Sequence, residues 1–222
     1  MHSIYNNQAA ASFYHYPIAL KITGSKSLQL KGESAQMRIL TIAALVLFSG
    51  LTAKAQYTSS IKWDERKTLQ WTDFNGRIAD DSKFDAECFA EVCYNYTFYN
   101  LKNFKFDVYA NFDKSTSWSR KEKQSGELLK HEQLHFDIAH LYALKLKHEF
   151  ENFHYTKNYE EEIAEIFDNV KQEYQLVQRQ YDDETKHALN KQQQKAWEDY
   201  VVTELKNTTS KLQLAKTNTK PF

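Results

Sequence analysis

Between Phe104 and Phe112 the chain alternates strictly. Phe104, Phe106, Val108, Ala110 and Phe112 are apolar or small, while Lys105, Asp107 and Asn111 between them are polar. A period of two is the signature of a strand with one buried face. The aromatic and β-branched stretch from Ala86 to Tyr99 predicts a partner strand, with residues 100–103 as the turn between them. After Ser125 the period changes. Leu128, His131, His135, Ile138 and Tyr142 recur at threes and fours as far as about Phe153, which predicts a long helix. Ile163, Phe167, Val170, Tyr174, Val177 and Tyr181 predict a second helix, and Ala188, Trp197, Val201 and Leu205 a third. Residues 206–222 are polar with a late proline and read as a flexible tail. Strands followed by helices, with no internal repeat, predict an α+β fold in which a small antiparallel sheet precedes a motif-bearing helix and further long helices.

The amino end follows another pattern. Met37-Arg38 precedes an apolar run from Ile39 to Leu51, and Ala53-Lys54-Ala55 follows. A short basic region, an apolar stretch too brief to span a bilayer and a small-x-small cleavage site together predict a secretory signal peptide over residues 37–55. Residues 1–36 show no period and nothing useful to a translocon, so they read as a non-native upstream extension. The domain proper is expected over 56–205, in the periplasm or outside the cell, with no membrane span after cleavage.

Composition changes this picture only slightly. The 222 residues are 41% hydrophobic and 14% aromatic, too apolar for a disordered chain and enough for one ordinary domain. Five glycines and two prolines argue against a turn-dense all-β sandwich. Lysine plus arginine equals aspartate plus glutamate at 29 each; cleavage after Ala55 would remove five bases and one acid, leaving 24 against 28. A mildly acidic mature chain has no basic excess with which to hold nucleic acid. Cys88 and Cys93 are five apart in what reads as one strand, which sends them to opposite faces, so a disulfide between them would need a bulge or a tight turn. With no further cysteine the pair is not a zinc signature.

The candidate chemistry lies at His131-Glu132-Gln133-Leu134-His135. Two histidines four apart on a helix are offset by about 40° and one turn, so both imidazoles reach one cation. Glu132 sits close enough to that face to meet a water on the metal without ligating it. Zinc with an open position acidifies its water, and a carboxylate beside it can take the proton and pass it to a leaving amine.

Two helical ligands need a third. His140 lies about 140° round the helix from His135, and His148 is too far along it. A metzincin third histidine is absent, since Ile138 and Leu141 hold that pattern's glycine and histidine positions. Glu160, Glu161, Glu162 and Glu165 on the next helix are candidates, though acids there also suit the first turn of a helix. His154 and the distant His187 stay open.

The string Leu128-Leu129-Lys130-His131-Glu132-Gln133-Leu134-His135-Phe136-Asp137-Ile138, then Tyr181-Asp182-x-x-Thr185-x-His187 and Gln194-x-x-Trp197, resembles a family of secreted bacterial proteins. That family was long catalogued as a domain of unknown function and is described as secreted zinc-dependent proteases. Trp71-Thr72-Asp73-Phe74-Asn75-Gly76 and Ser117-Trp118 are similar to its pattern too, so the resemblance spans nearly all of 61–201. Where the family has glycine after the late histidine, this chain has Ala188.

The resemblance implies a zinc metallopeptidase acting on a peptide or protein substrate. Zn2+ is expected on His131, His135 and His187, the last supplied by a helical hairpin, with Glu132 as general base and then acid. Asp182 is the alternative third ligand or an acceptor for a ligating histidine. Asp137 points away from the metal on an ideal helix and is expected to hold structure. The strand Phe104–Phe112 would either offer an edge to an extended peptide or serve as an inner strand of the core. The rival classes are an exported zinc-binding or partner-binding module without hydrolytic activity, and a metal-free structural protein of the envelope.

Overall fold

The computed structural model describes residues 59–63 and 68–218; the expected leader and the segment before it lie outside these residues. Among the described residues, five strands are followed by three long helices, which is the α+β order the pattern predicts. Strand β1 (Ser60–Lys62) is followed by a 3-10 turn at Trp71–Asp73. Then come β2 (Ala86–Glu87), β3 (Ala90–Asn100), β4 (Asn103–Asp113) and β5 (Trp118–Ser119). The helices are α1 (Gly126–Asn152), α2 (Tyr159–Thr185) and α3 (Lys191–Asn218). None of them is long and apolar enough to cross a membrane.

Strands β3 and β4 form an antiparallel hairpin in which Val92 faces Ala110, Tyr96 faces Phe106 and Phe98 faces Phe104. Its turn is tightened by Asn100, whose side chain accepts from the Lys102 N–H at 3.0 Å. The alternation puts one face of the hairpin on the helices. Phe106 stacks on Phe150 of α1 with ring centroids 4.5 Å apart, Tyr94 meets Phe167 of α2 at 4.9 Å, and Phe112 meets Phe136 at 5.8 Å. Such pairs add to the burial of the rings themselves. The sheet order is β1-β4-β3, so β4 is the inner strand where the short β1 covers it, at Asn111–Asp113.

Helix α1 packs on the sheet and on both other helices, and it is buried on most of its circumference: Phe136, Ile138, Ala139 and Leu146 have no exposed surface. Ser125 caps it, accepting from the Leu128 N–H at 3.1 Å. Helix α3 continues through Asn218 instead of loosening at 206, because Leu205, Thr208 and Leu212 extend the inward stripe, with Thr208 and Leu212 buried. A stripe that includes a threonine does not read as apolar in the sequence.

One strand differs from its expected form. Ala86–Tyr99 is not continuous: Ala86 and Glu87 pair with Ser119 and Trp118 in a separate two-stranded sheet, and the chain changes sheets at Cys88 and Phe89. At that crossing the Phe89 N–H donates to Ser117 Oγ at 2.9 Å, and the Trp118 indole donates to Glu87 at 3.0 Å. Cys88 therefore lies between strands and Cys93 within β3, and both are free thiols.

Candidate metal centre

The amino-terminal third of α1 and the last two turns of α2 run past one another, bringing His131, His135 and Asp182 to one point. His131 Nε2 lies 3.1 Å from Asp182 Oδ1, His135 Nε2 lies 3.0 Å from the same oxygen, and the two nitrogens are 3.3 Å apart. His187 comes from the turn after α2, with its Nδ1 3.3 Å from Asp182 Oδ1. His131, Asp182 and His187 form a group that could hold a metal ion, their ligand atoms all within 4.8 Å of one another. Both candidates for the third ligand thus reach the site. Asp182 is the nearer to both motif histidines, and His187, half-exposed, stands beside it.

The remaining candidates do not come here. Glu160 to Glu165 occupy the opposite end of α2, about 25–33 Å along the helix from Asp182 at 1.5 Å per residue. His140 stacks on Trp63 with ring centroids 3.7 Å apart, and His154 lines a separate hollow with Phe104 and Phe153.

Each motif histidine has a partner at its other nitrogen. His131 Nδ1 is 3.2 Å from Gln194 Oε1, and His135 Nδ1 is 2.6 Å from Gln178 Oε1. Tyr181 lies under both rings, stacked on His131 at 4.6 Å and edge-on to His135 at 4.8 Å. Gln194 was visible only as part of the resembling string, and Gln178 was missed. Its signal was its place one turn before Asp182 on the same helical face.

His187 sits in an unusual turn. Lys186, His187 and Ala188 all have positive φ, at 51°, 50° and 71°, and none is glycine. Left-handed backbone disfavours a side chain, and three such residues in succession hold the imidazole against Asp182. Ala188 thus adopts the backbone that a glycine would take, and the turn survives the departure from the resembling pattern.

A cleft of about 740 Å³ opens over the centre. Residues 83–89 form one wall, α1 and α2 the floor, and the turn at 186–189 the other wall. Glu132 lies in this cleft, 3% exposed, and accepts from the Cys88 backbone N–H. Phe84, Phe89 and Leu189 give the rim exposed apolar surface, and Phe84 also packs on the His187 ring at 4.5 Å.

The electrostatics follow burial and partners. Burial pushes the Glu132 carboxyl up to about 7. Burial lowers the pKa of His131. Burial acts the same way on His135, but the Asp182 carboxylate outweighs it, and the net shift is upward. Burial alone would raise Asp182; the two imidazoles beside it reverse that and hold it well below the usual carboxylate range.

Asp137 has the structural place expected of it: Trp63 Nε1 donates to it at 2.7 Å and Gln133 Nε2 at 2.9 Å, on the side of α1 away from the cleft. The comparisons with curated proteins and with solved structures return no match. Residues 107–188, from β4 through the motif helix to the turn holding His187, match a family described as bacterial protein of unknown function (DUF922).

Proposed function

We propose that this chain is an exported zinc-dependent metallopeptidase, with Zn2+ held by His131, His135 and Asp182, with His187 beside them, and with Glu132 as the general base. The observation that carries this reading is the triangle of Nε2, Nε2 and Oδ1 atoms, with edges of 3.3, 3.1 and 3.0 Å. Tetrahedral zinc with bonds of roughly 2.0–2.1 Å to nitrogen and oxygen places its ligand atoms about 3.3–3.4 Å apart. Three donors at that spacing, two imidazoles and a carboxylate, fit zinc in kind as well as in size.

Zinc held there supplies Lewis acidity, lowering the pKa of a water and polarising a peptide carbonyl. The rest is work for the chain. Glu132 accepts a proton as the water oxygen bonds to the carbonyl carbon, and delivers it to the amide nitrogen as the C–N bond breaks. Its burial and the Cys88 N–H aim the carboxylate along the cleft instead of into bulk water. The apolar rim of Phe84, Phe89 and Leu189 suits an extended peptide carrying a bulky apolar side chain.

Glu132→Gln tests the reading, since it removes the proton acceptor and keeps the shape. Wild type and variant should both bind one zinc with similar thermal stability, while hydrolysis of a peptide library falls by roughly two to four orders of magnitude. Equal cleavage by the two would remove Glu132 from the mechanism. Zinc in both with cleavage by neither would leave the chain a zinc-binding module.

A further inference from the structure

We infer that Gln178 and Gln194 are positioning residues that fix the tautomers of His135 and His131, so that the centre presents three lone pairs to a cation before one arrives. The inference rests on the metal-site reading above and concerns how that site is prepared. A neutral imidazole carries one proton, and a nitrogen can ligate a metal only if the proton is on the other nitrogen. The amide oxygen and nitrogen of a glutamine exchange places when the group flips, so the orientation of each glutamine has to come from its other partners.

Those partners leave no choice at Gln178. Its Nε2 lies 2.9 Å from the His135 carbonyl oxygen and 2.8 Å from the Tyr174 hydroxyl. The Tyr174 proton is directed to the Ala90 carbonyl at 2.6 Å, so that hydroxyl oxygen is free only to accept. Two acceptors at one end require the NH2 there, and a flipped amide would set oxygen against oxygen. Gln178 Oε1 therefore faces His135 Nδ1 at 2.6 Å, and that nitrogen must carry the proton.

Gln194 is oriented from the other direction. Its Nε2 lies 3.2 Å from the Glu198 carboxylate, which in its ionised form only accepts, and its Oε1 receives the Tyr181 hydroxyl at 2.8 Å. The same Oε1 is 3.2 Å from His131 Nδ1. Gln194 is buried, and Tyr181 and His131 are fully so, so water does not compete for these bonds.

With both Nδ1 atoms protonated, the two Nε2 atoms offer lone pairs. They meet a carboxylate oxygen at 3.0 and 3.1 Å and each other at 3.3 Å. Three acceptors facing one another form a site for a shared cation. Neutral amides hold the rings without a second buried charge, unlike the carboxylates that often play this part.

The test is read first on the metal-free chain. Nitrogen-15 spectra of the imidazoles, at a pH high enough to keep them neutral, should show His131 and His135 protonated at Nδ1. Titration with Zn2+ alone should then show Gln178→Met and Gln194→Met weakening affinity by about 10–100-fold each. In each Met variant the imidazole that loses its amide acceptor should gain the Nε2-protonated tautomer while the other keeps its proton on Nδ1, a change that a purely structural role would not produce. An Nε2-protonated tautomer at either histidine in the wild type would overturn the inference, and so would Met variants that bind zinc as tightly as wild type. Should a Met variant not fold, the wild-type tautomers still decide. A wild type that takes up no zinc would sink the metallopeptidase reading instead, and the tautomers, measured without metal, would still decide the role of the glutamines.

Discussion

Adding one methyl group at Gly76 and at Gly126 should move stability in opposite directions. A Cβ built at Gly76 would stand 2.5 Å from the Thr116 carbonyl oxygen and 2.8 Å from that of Ser117, both backbone atoms with no side-chain freedom to yield. To admit it, the loop at 113–117 must move away from the Trp71–Gly76 segment. That strains or breaks the Gly76 N–H bond to Ser117 at 2.7 Å and the Asn75 N–H bond to Lys114 at 2.9 Å. Overpacking costs about 1–3 kcal/mol and each lost hydrogen bond about 1 kcal/mol, so Gly76→Ala should destabilise by roughly 2–4 kcal/mol. For a domain of this size that is a fall in Tm of about 4–16 °C. At Gly126 a Cβ meets nothing within 4 Å, and the residue opens α1. There alanine should stabilise by about 0.5 kcal/mol through helix propensity and a less flexible unfolded chain. Calorimetry or thermal circular dichroism on the two variants reads both signs. A Gly76→Ala protein that melts with wild type would show that the clasp between 71–76 and 113–118 does not hold the cleft wall in the described position.

Three further outcomes are expected. Ala188→Gly should raise Tm by about 1–3 °C, since relief of left-handed backbone at φ 71° outweighs the entropy glycine loses on folding; a lower Tm would refute the strain at this turn. Trp63→Phe removes the indole donor from the half-buried Asp137 carboxylate and should cost about 1–3 kcal/mol with zinc affinity unchanged, because this contact is on the far side of α1; weaker zinc binding would contradict that separation. Stripping zinc with a chelator should lower Tm by about 5–11 °C relative to protein held at a hundredfold excess of free zinc over its Kd, and an unchanged Tm would refute a native-state metal site.

How much of this could be read from the sequence depends on how local the determining contacts are. The β3–β4 hairpin and the three helices follow from spacing of apolar residues a few positions apart, and their bounds, apart from the carboxyl end of α3, lie within a few residues of the pattern. The break at Cys88 and Phe89 does not, because the partner that splits β2 from β3 is a two-residue strand some thirty positions later. The inner place of β4 also required β1, whose three residues carry almost no pattern. At the candidate centre, His131, Glu132 and His135 were legible because one helical turn sets their spacing. His187 was one of the histidines the residues alone left open, Asp182 entered with the resemblance, and their relative nearness depended on how the end of α2 lies against α1. Gln178 was harder to read: its amide acquires its role from His135, forty-three residues earlier, as well as from Tyr174 one turn away on its own helix.

The motif helix also carries a string longer than its chemistry. His131, Glu132 and His135 turn to the cleft, while Gln133 and Asp137 look the other way. Gln133 Oε1 accepts from the Leu69 N–H at 2.6 Å, and its amide nitrogen donates to Asp137, which in turn receives Trp63. These bonds fasten Trp63 and Leu69 onto the back of α1. From there the chain runs into Trp71–Gly76, whose Asp73 is buried beside Lys114 at 3.5 Å and whose Gly76 is pressed on Thr116 and Ser117. Ser117 and Trp118 then hold Phe89 and Glu87, and the residue between those two is Cys88, whose N–H reaches Glu132. A continuous chain of contacts therefore leads from the back of the motif helix, round the outside of the cleft wall, to the carboxylate on its front. Residues without chemistry of their own set the width of the cleft and the direction of its base.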